Sequence, residues 1–186
     1  MKLILGSKSP RRKELLSSIG MQFEIRTKET DENYPETLPI EQVAEYIAQL
    51  KADDLIEDLK DDEILLCADT TVQIDNILLG KPKDATEASK MLSLLSGRTH
   101  VVTTGVVIAS NEMELSFSVK TEVTFKPLSM DEIEYYIETY QPFDKAGSYG
   151  IQEWIGYIGI QKIDGSYNNV VGLPTHEVYQ ALQKFE

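Results

Sequence analysis

Short apolar runs and helical stripes alternate irregularly along the chain. Residues 2–6 (KLILG) read as a short buried strand. Ser9 then offers an N-cap, Pro10 suits the first helical position, and Leu15, Leu16 and Ile19 form an apolar stripe up to Gly20. Residues 22–26 alternate as a strand, and residues 27–39 form an acidic loop ending at Pro39. From Ile40 to about Leu59, the spacing of Val43, Ile47 and Leu50 predicts an amphipathic helix. Residues 64–68 (ILLCA) are continuously apolar, as in a central strand buried on both faces. Asp75-Asn76 fits a hairpin turn between Val72-Gln73-Ile74 and Ile77-Leu78-Leu79.

A helix follows over 84–95, closed by Gly97. Residues 100–109 and 115–125 read as a hairpin turning around Asn111, and 129–140 as a helix. A glycine-rich segment runs from Gly147 to Gly159, with strand-like pieces near 157–163 and 167–171. Pro174 opens a last helix, with Val178, Leu182 and Phe185 inward. This order predicts a mixed-sheet α/β protein and not a strictly doubly wound one. The 186 residues suit one domain, or two closely packed lobes.

Charge narrows the function classes. The chain carries 18 Lys and Arg against 31 Asp and Glu, a net charge of -13. Such a field repels nucleic acid and anionic membranes, so neither is expected as a partner. An anionic ligand must be met by a local basic pocket or a metal ion. The single cysteine, Cys67, excludes an intrachain disulfide and fits a cytoplasmic address. The apolar run before Gly6 is too short for a signal segment, and no run approaches a membrane span. The acidic stretch 53–63 reads as a solvated helix end and loop.

Against that background the stretch GSKSPRRKELL, residues 6–16, stands out. Lys8, Arg11, Arg12 and Lys13 crowd the mouth of the first helix. A helix N-terminus is already the positive end of the dipole, so these cations cost roughly 0.3–1 kcal/mol each. An anion would resolve the conflict. Free backbone N–H groups, the Ser7 and Ser9 hydroxyls and the guanidinium forks of Arg11 and Arg12 together suit a phosphate. The alternative is an exposed basic face. No GxxxxGK[ST] loop is present.

Other candidates gain weight only in company. Asp69 follows the buried run ILLCA, at the end of a central strand where α/β proteins place ligands; the alternative is a turn-capping residue ahead of Thr70-Thr71. Glu29, Asp31 and Glu32 lie in a polar loop, and one of them paired with Asp69 could hold a hard cation such as Mg²⁺. Lys51 borders an apolar stripe, and Lys81 is held extended by Pro82; each alone also reads as a surface lysine. In DKAGSYGIQ (144–152) the glycines admit a ligand to the backbone, Tyr149 could stack and Gln152 could read an amide edge. His100 and His176 form no metal spacing.

Taken together, GSKSPRRKELL, CADTTV, LGKP, LSGRTH, DKAGSYGIQ, IDGSY and VVGLP, in order from residue 6 to residue 174, resemble the Maf family of nucleotide pyrophosphatases. The resemblance covers nearly the whole chain, 1–186, as a single domain. It implies an ITPase-like α/β fold: an elongated mixed sheet flanked by helices, with two lobes and a central cleft. It implies hydrolysis of nucleoside triphosphates to monophosphate and pyrophosphate with a divalent metal, Mg²⁺ or Mn²⁺.

By the same resemblance Asp69 matches the catalytic base. Arg12, Thr70 and Gln152 match positions tied to base selection, and Ser7, Glu32, Lys51 and Lys81 match polar residues of the cleft, with Glu32 and Asp69 holding metal. This combination resembles the dTTP/UTP branch over the 7-methyl-GTP branch. A non-catalytic nucleotide sensor regulating septum formation is the rival reading. A homodimer is compatible with the sequence, which does not set oligomeric state. Two departures stand out: Gly6 replaces a usual Ala, and Glu153-Trp154 follows GIQ where Gly-x-Gly is common.

Overall fold

The structure, a computed structural model, describes residues 2–185. Among the described residues, seven strands form one mixed sheet: β1 (Lys2–Leu5), β2 (Phe23–Ile25), β3 (Glu63–Ile74), β4 (Ile77–Leu79), β5 (Thr99–Ala109), β6 (Glu114–Phe125) and β7 (Ile160–Asp164). Their order is β2-β1-β3-β5-β6-β7, with β4 paired to β3. β1 is parallel to both β2 and β3, whereas β3–β4 and β6–β7 are antiparallel. The helices are α1 (Pro10–Ser18), α2 (Val43–Ile56), α3 (Ala85–Leu95), α4 (Met130–Tyr140), α5 (Trp154–Gly159), α6 (Tyr167–Val171) and α7 (Thr175–Leu182). This is the mixed α/β class expected from the sequence.

The chain forms two compact units. The first comprises residues 1–70, 104–119 and 172–186, and the second 71–103 and 120–171. In the first unit, Leu3, Leu5, Leu16, Leu66, Ile108 and Val178 share one core, and Ile4, Ala48, Leu55, Leu65 and Val107 a second. In the second unit, Val72, Leu92, Leu95, Phe125, Tyr136 and Ile155 share a core.

Three local expectations need correction. Residues 64–68 and 72–74 belong to one strand, β3, so Asp69 lies within a strand and caps no turn. Thr70 and Thr71 are β-branched and continue the pleat. Residues 167–171 are helical, because Ser166 Oγ accepts the Asn169 N–H at 3.2 Å and starts a turn. The buried Asn169 amide anchors it to the Val102 carbonyl at 3.1 Å and Thr121 Oγ1 at 3.0 Å. These contacts override the strand preference of Val170 and Val171. Finally, Glu63 in the acidic stretch is buried, accepting two bonds from Arg26 at 2.8 and 2.9 Å. The Arg26 guanidinium holds its carboxyl down at about 2.

Gly6 has a spatial explanation. A Cβ there would sit 2.3 Å from Cys67 Sγ and 3.0 Å from Leu55 Cδ1. Cys67 therefore fills the volume that an alanine at position 6 would need. Gly6→Ala is expected to destabilise by roughly 1–3 kcal/mol through overpacking. Adding Cys67→Ala should recover much of that loss. Urea unfolding of both single variants and the double variant measures this, and additive effects would refute the volume exchange.

Candidate active site

In the first unit, α1 begins as its sequence predicts. Ser9 Oγ accepts the Arg12 N–H at 3.4 Å, and the Ser9 N–H bonds Ser7 Oγ at 3.2 Å. Ser7 is buried and Lys8 exposed. Arg12 does not splay into solvent. Its Nε donates to the Gly172 carbonyl at 2.9 Å, Nη1 to Ser7 Oγ at 3.3 Å and Nη2 to Thr70 Oγ1 at 3.1 Å. Thr70 Oγ1 lies 2.9 Å from Thr104 Oγ1. Gly172 adopts φ +133°, a conformation that favours glycine, and presents its carbonyl to Arg12. Burial lowers the Arg12 pKa from its usual value, and the facing charge of Asp69 opposes that shift. The exposed-basic-face reading therefore fails for Arg12.

The carboxylates meet at a lysine. Lys51 Nζ lies 2.6 Å from Asp69 Oδ1 and 2.8 Å from Glu32 Oε1. Lys51 projects from α2, and Asp69 from β3. The acidic loop reaches the same helix, where Thr30 Oγ1 donates to Asp54 Oδ2 at 2.6 Å. The Lys51 and Asp69 side chains are 18% and 16% exposed, so their attraction is far less screened than that of a surface pair. Among the described residues no three His, Cys, Asp or Glu side chains gather as a metal site. Two carboxylates do converge on one cation, the ammonium of Lys51. That donor set fits a hard cation such as Mg²⁺, which takes one or two protein carboxylates and fills its shell with water and phosphate oxygens.

Ser7, Arg12 and Thr70 thus form one hydrogen-bonded group and Glu32, Lys51 and Asp69 another, both in the first unit, with the charges of Asp69 and Glu32 acting on Arg12. Arg11 is half-buried at the same helix mouth. Lys81 and Gln152 belong to the second unit. Lys81 is exposed just after β4. Gln152 is half-buried, and its amide oxygen has no hydrogen-bond partner among the described residues. Tyr149 departs from expectation. It is buried, packs edge-on against Phe125 at 5.1 Å and bonds His100 Nε2 at 2.6 Å, so it cannot stack on a ligand. Burial pulls the His100 pKa down to about 4, leaving a neutral core imidazole. Sequence reasoning missed Thr104, whose only signal is a polar pair inside the apolar run HVVTTGVVIA.

The chain is 50% identical over 184 residues to a protein of Phocaeicola vulgatus named dTTP/UTP pyrophosphatase, covering 98% of this chain and 95% of that one. It is 51% identical over 187 residues to a protein of the same name from Porphyromonas gingivalis, covering 99% and 94%. The Ham1 protein of Staphylococcus aureus shares the fold at a TM-score of 0.55 and 12% identity, covering 99% of this chain and 98% of that one. Among the described residues no helix is long and apolar enough to cross a membrane. Residues 2–185 match the Maf-like protein family, and the chain belongs to it.

Proposed function

We propose that this chain hydrolyses nucleoside triphosphates to the monophosphate and pyrophosphate, with dTTP and UTP preferred. The observation that carries the reading is the convergence of Asp69 and Glu32 on one cation, with the charges of both acting on Arg12 at the mouth of α1. An ensemble of paired carboxylates and guanidinium suits a triphosphate and its counter-ion. The names of the relatives support the same reaction. The whole chain, 1–186, is read as one catalytic domain, in keeping with a family match over 2–185. Its substrate class points to the cytoplasm.

The α1 N-terminus, with Arg11 and Arg12, binds phosphate oxygens. Arg12 has five N–H donors and spends three on the protein, leaving two for the ligand. Asp69 Oδ1 is taken by Lys51, so Oδ2 is the atom that accepts the proton of the attacking water. The water oxygen bonds the α-phosphorus, the α–β bridging bond breaks, and its electron pair leaves with pyrophosphate. A divalent cation, Mg²⁺ or Mn²⁺, held by Asp69 and Glu32 supplies neutralisation of the developing charge. Lys51, and Lys81 by its match to the family motif, neutralise the remainder.

Base preference is assigned to Gln152. Its amide oxygen is an unspent acceptor, and the ring N–H of uracil or thymine is the donor it suits, while its NH₂ can donate to a base carbonyl. Cytosine lacks that donor. Pyrophosphate release from a set of nucleoside triphosphates tests the reading. UTP and dTTP should outpace CTP, ATP and GTP by at least about tenfold, the net worth of about one hydrogen bond. Equal turnover of ATP and UTP would defeat the preference. Binding without pyrophosphate release would favour the sensor.

A further inference from the structure

Gln152 sits in a loop whose tether lies one helix away. In the second unit, the buried Tyr136 of α4 places its hydroxyl beside residues 150–153. That hydroxyl accepts the Gly150 N–H at 3.0 Å and donates to Glu153 Oε2. The Glu153 N–H returns to the Gly150 carbonyl at 3.0 Å. The other carboxylate oxygen of Glu153 lies 3.1 Å from Lys145 Nζ, which also bonds Asp144 at 2.7 Å. Trp154 adds an edge-on contact with Tyr135 of the same helix, ring centres 4.8 Å apart. Both residues of the Glu153-Trp154 pair, which departs from Gly-x-Gly, thus fasten the loop to α4.

The pinning leaves little slack. Gly150 and Glu153 bracket Ile151-Gln152, and both bond the same phenol. Ile151 is buried. A Cβ at Gly150 would lie 2.9 Å from Glu153 Cδ and 3.1 Å from Lys145 Cε, so the bracket closes against bare backbone. The buried Gln152 amide oxygen has no hydrogen-bond partner among the described residues, so no hydrogen bond to that atom aims the side chain. What the bracket fixes is the backbone that carries it. Burial raises the Tyr136 pKa, so the phenol stays a neutral donor throughout the physiological range.

We propose that Tyr136 and Glu153 are positioning residues that aim Gln152 at the pyrimidine base, and so set base preference without touching the ligand. This rests on the base-reading role proposed for Gln152. Tyr136→Phe preserves volume and removes one hydroxyl, and Glu153→Gln keeps shape but cannot serve both Tyr136 and Lys145 as acceptor.

The test measures kcat/KM for UTP and CTP in the full chain, with thermal melts and amide hydrogen exchange over residues 147–153. Tyr136→Phe should lower the UTP value by about tenfold and leave the CTP value within about twofold, the scale of a misaimed contact. Exchange of the 150–153 amides should rise by a similar factor. Glu153→Gln should shift the ratio in the same direction. Combined with Gln152→Ala, Tyr136→Phe should add nothing further to the loss on UTP.

Equal loss on UTP and CTP, additivity with Gln152→Ala, or unchanged exchange would each overturn the positioning role while leaving the base reading intact. A wild type that does not prefer UTP over CTP, or a Gln152→Ala variant that keeps the preference, would overturn the base reading and the positioning role with it.

Discussion

Asp69→Asn is expected to lose nearly all pyrophosphate release while keeping the fold. Asparagine is close in size and retains one acceptor oxygen. Lys51 can still bond it and keeps its contact with Glu32 at 2.8 Å. The neighbours Cys67 and Ala68 are fully buried in β3 and do not change their packing. What the amide cannot do is accept a proton from water or carry charge toward a metal. General-base contributions are about 10²–10⁴-fold, and weaker metal binding adds to the loss. Steady-state pyrophosphate release at saturating Mg²⁺, with thermal melts, measures the effect. A well-folded variant retaining more than about a tenth of the wild-type rate lies far outside that range and would move the base role to Glu32.

That experiment also separates two functions of one carboxylate. In this chain Asp69 is both the partner of a largely buried ammonium and the proposed base. Lys51→Met isolates the first. It leaves Asp69 and Glu32 as two like charges with no shared cation, a repulsion that a divalent ion would relieve. Lys51 thus holds the two carboxylates together through its ammonium.

Much of this site was legible before the fold was known, because the signals were chemical. Cations at a helix N-terminus violate a simple electrostatic rule, and Ser9 and Pro10 announced where that helix begins. Asp69 was visible as a charge interrupting an apolar run, although its address was not. The strand continues past it to Ile74, since two threonines can pleat as readily as they can turn. The pairing of Lys51 with Glu32 and Asp69 was not legible. It joins a helix, a loop and a strand, and such long-range juxtaposition leaves no periodic trace. Thr104 and the Gly172 carbonyl were hidden for the same reason, since they meet Thr70 and Arg12 from distant parts of the chain. Tyr149 misled because a tyrosine among glycines looks like a platform, whereas here it fills the core against Phe125 and His100.

Arg12→Ala carries the second large effect, and the geometry changes its form. From the helix mouth alone, the variant should be impaired in turnover and otherwise intact. The guanidinium instead holds three segments of the first unit: Ser7 before α1, Thr70 in β3 and the carbonyl of Gly172. Its removal strips a charge-assisted partner from the Gly172 carbonyl and leaves the two hydroxyls a donor short. A buried group that loses its partner costs roughly 1–3 kcal/mol. For a chain of this size that corresponds to a fall in Tm on the order of 5 °C. The two N–H groups proposed for phosphate are lost as well, and charge-assisted contacts of that kind carry roughly 1.5–3 kcal/mol, or about 10- to 150-fold in kcat/KM. Arg12→Lys should restore little of either, because one ammonium cannot match the spread of a guanidinium fork. Melting curves and kcat/KM for UTP, measured on Arg12→Ala, Arg12→Lys and the wild type, decide the matter. A lowered Tm with a fully active folded fraction would make Arg12 a tether alone, and an unchanged Tm with lost activity would make it a ligand alone. With three donors tied to the protein and two proposed for phosphate, both losses are expected together.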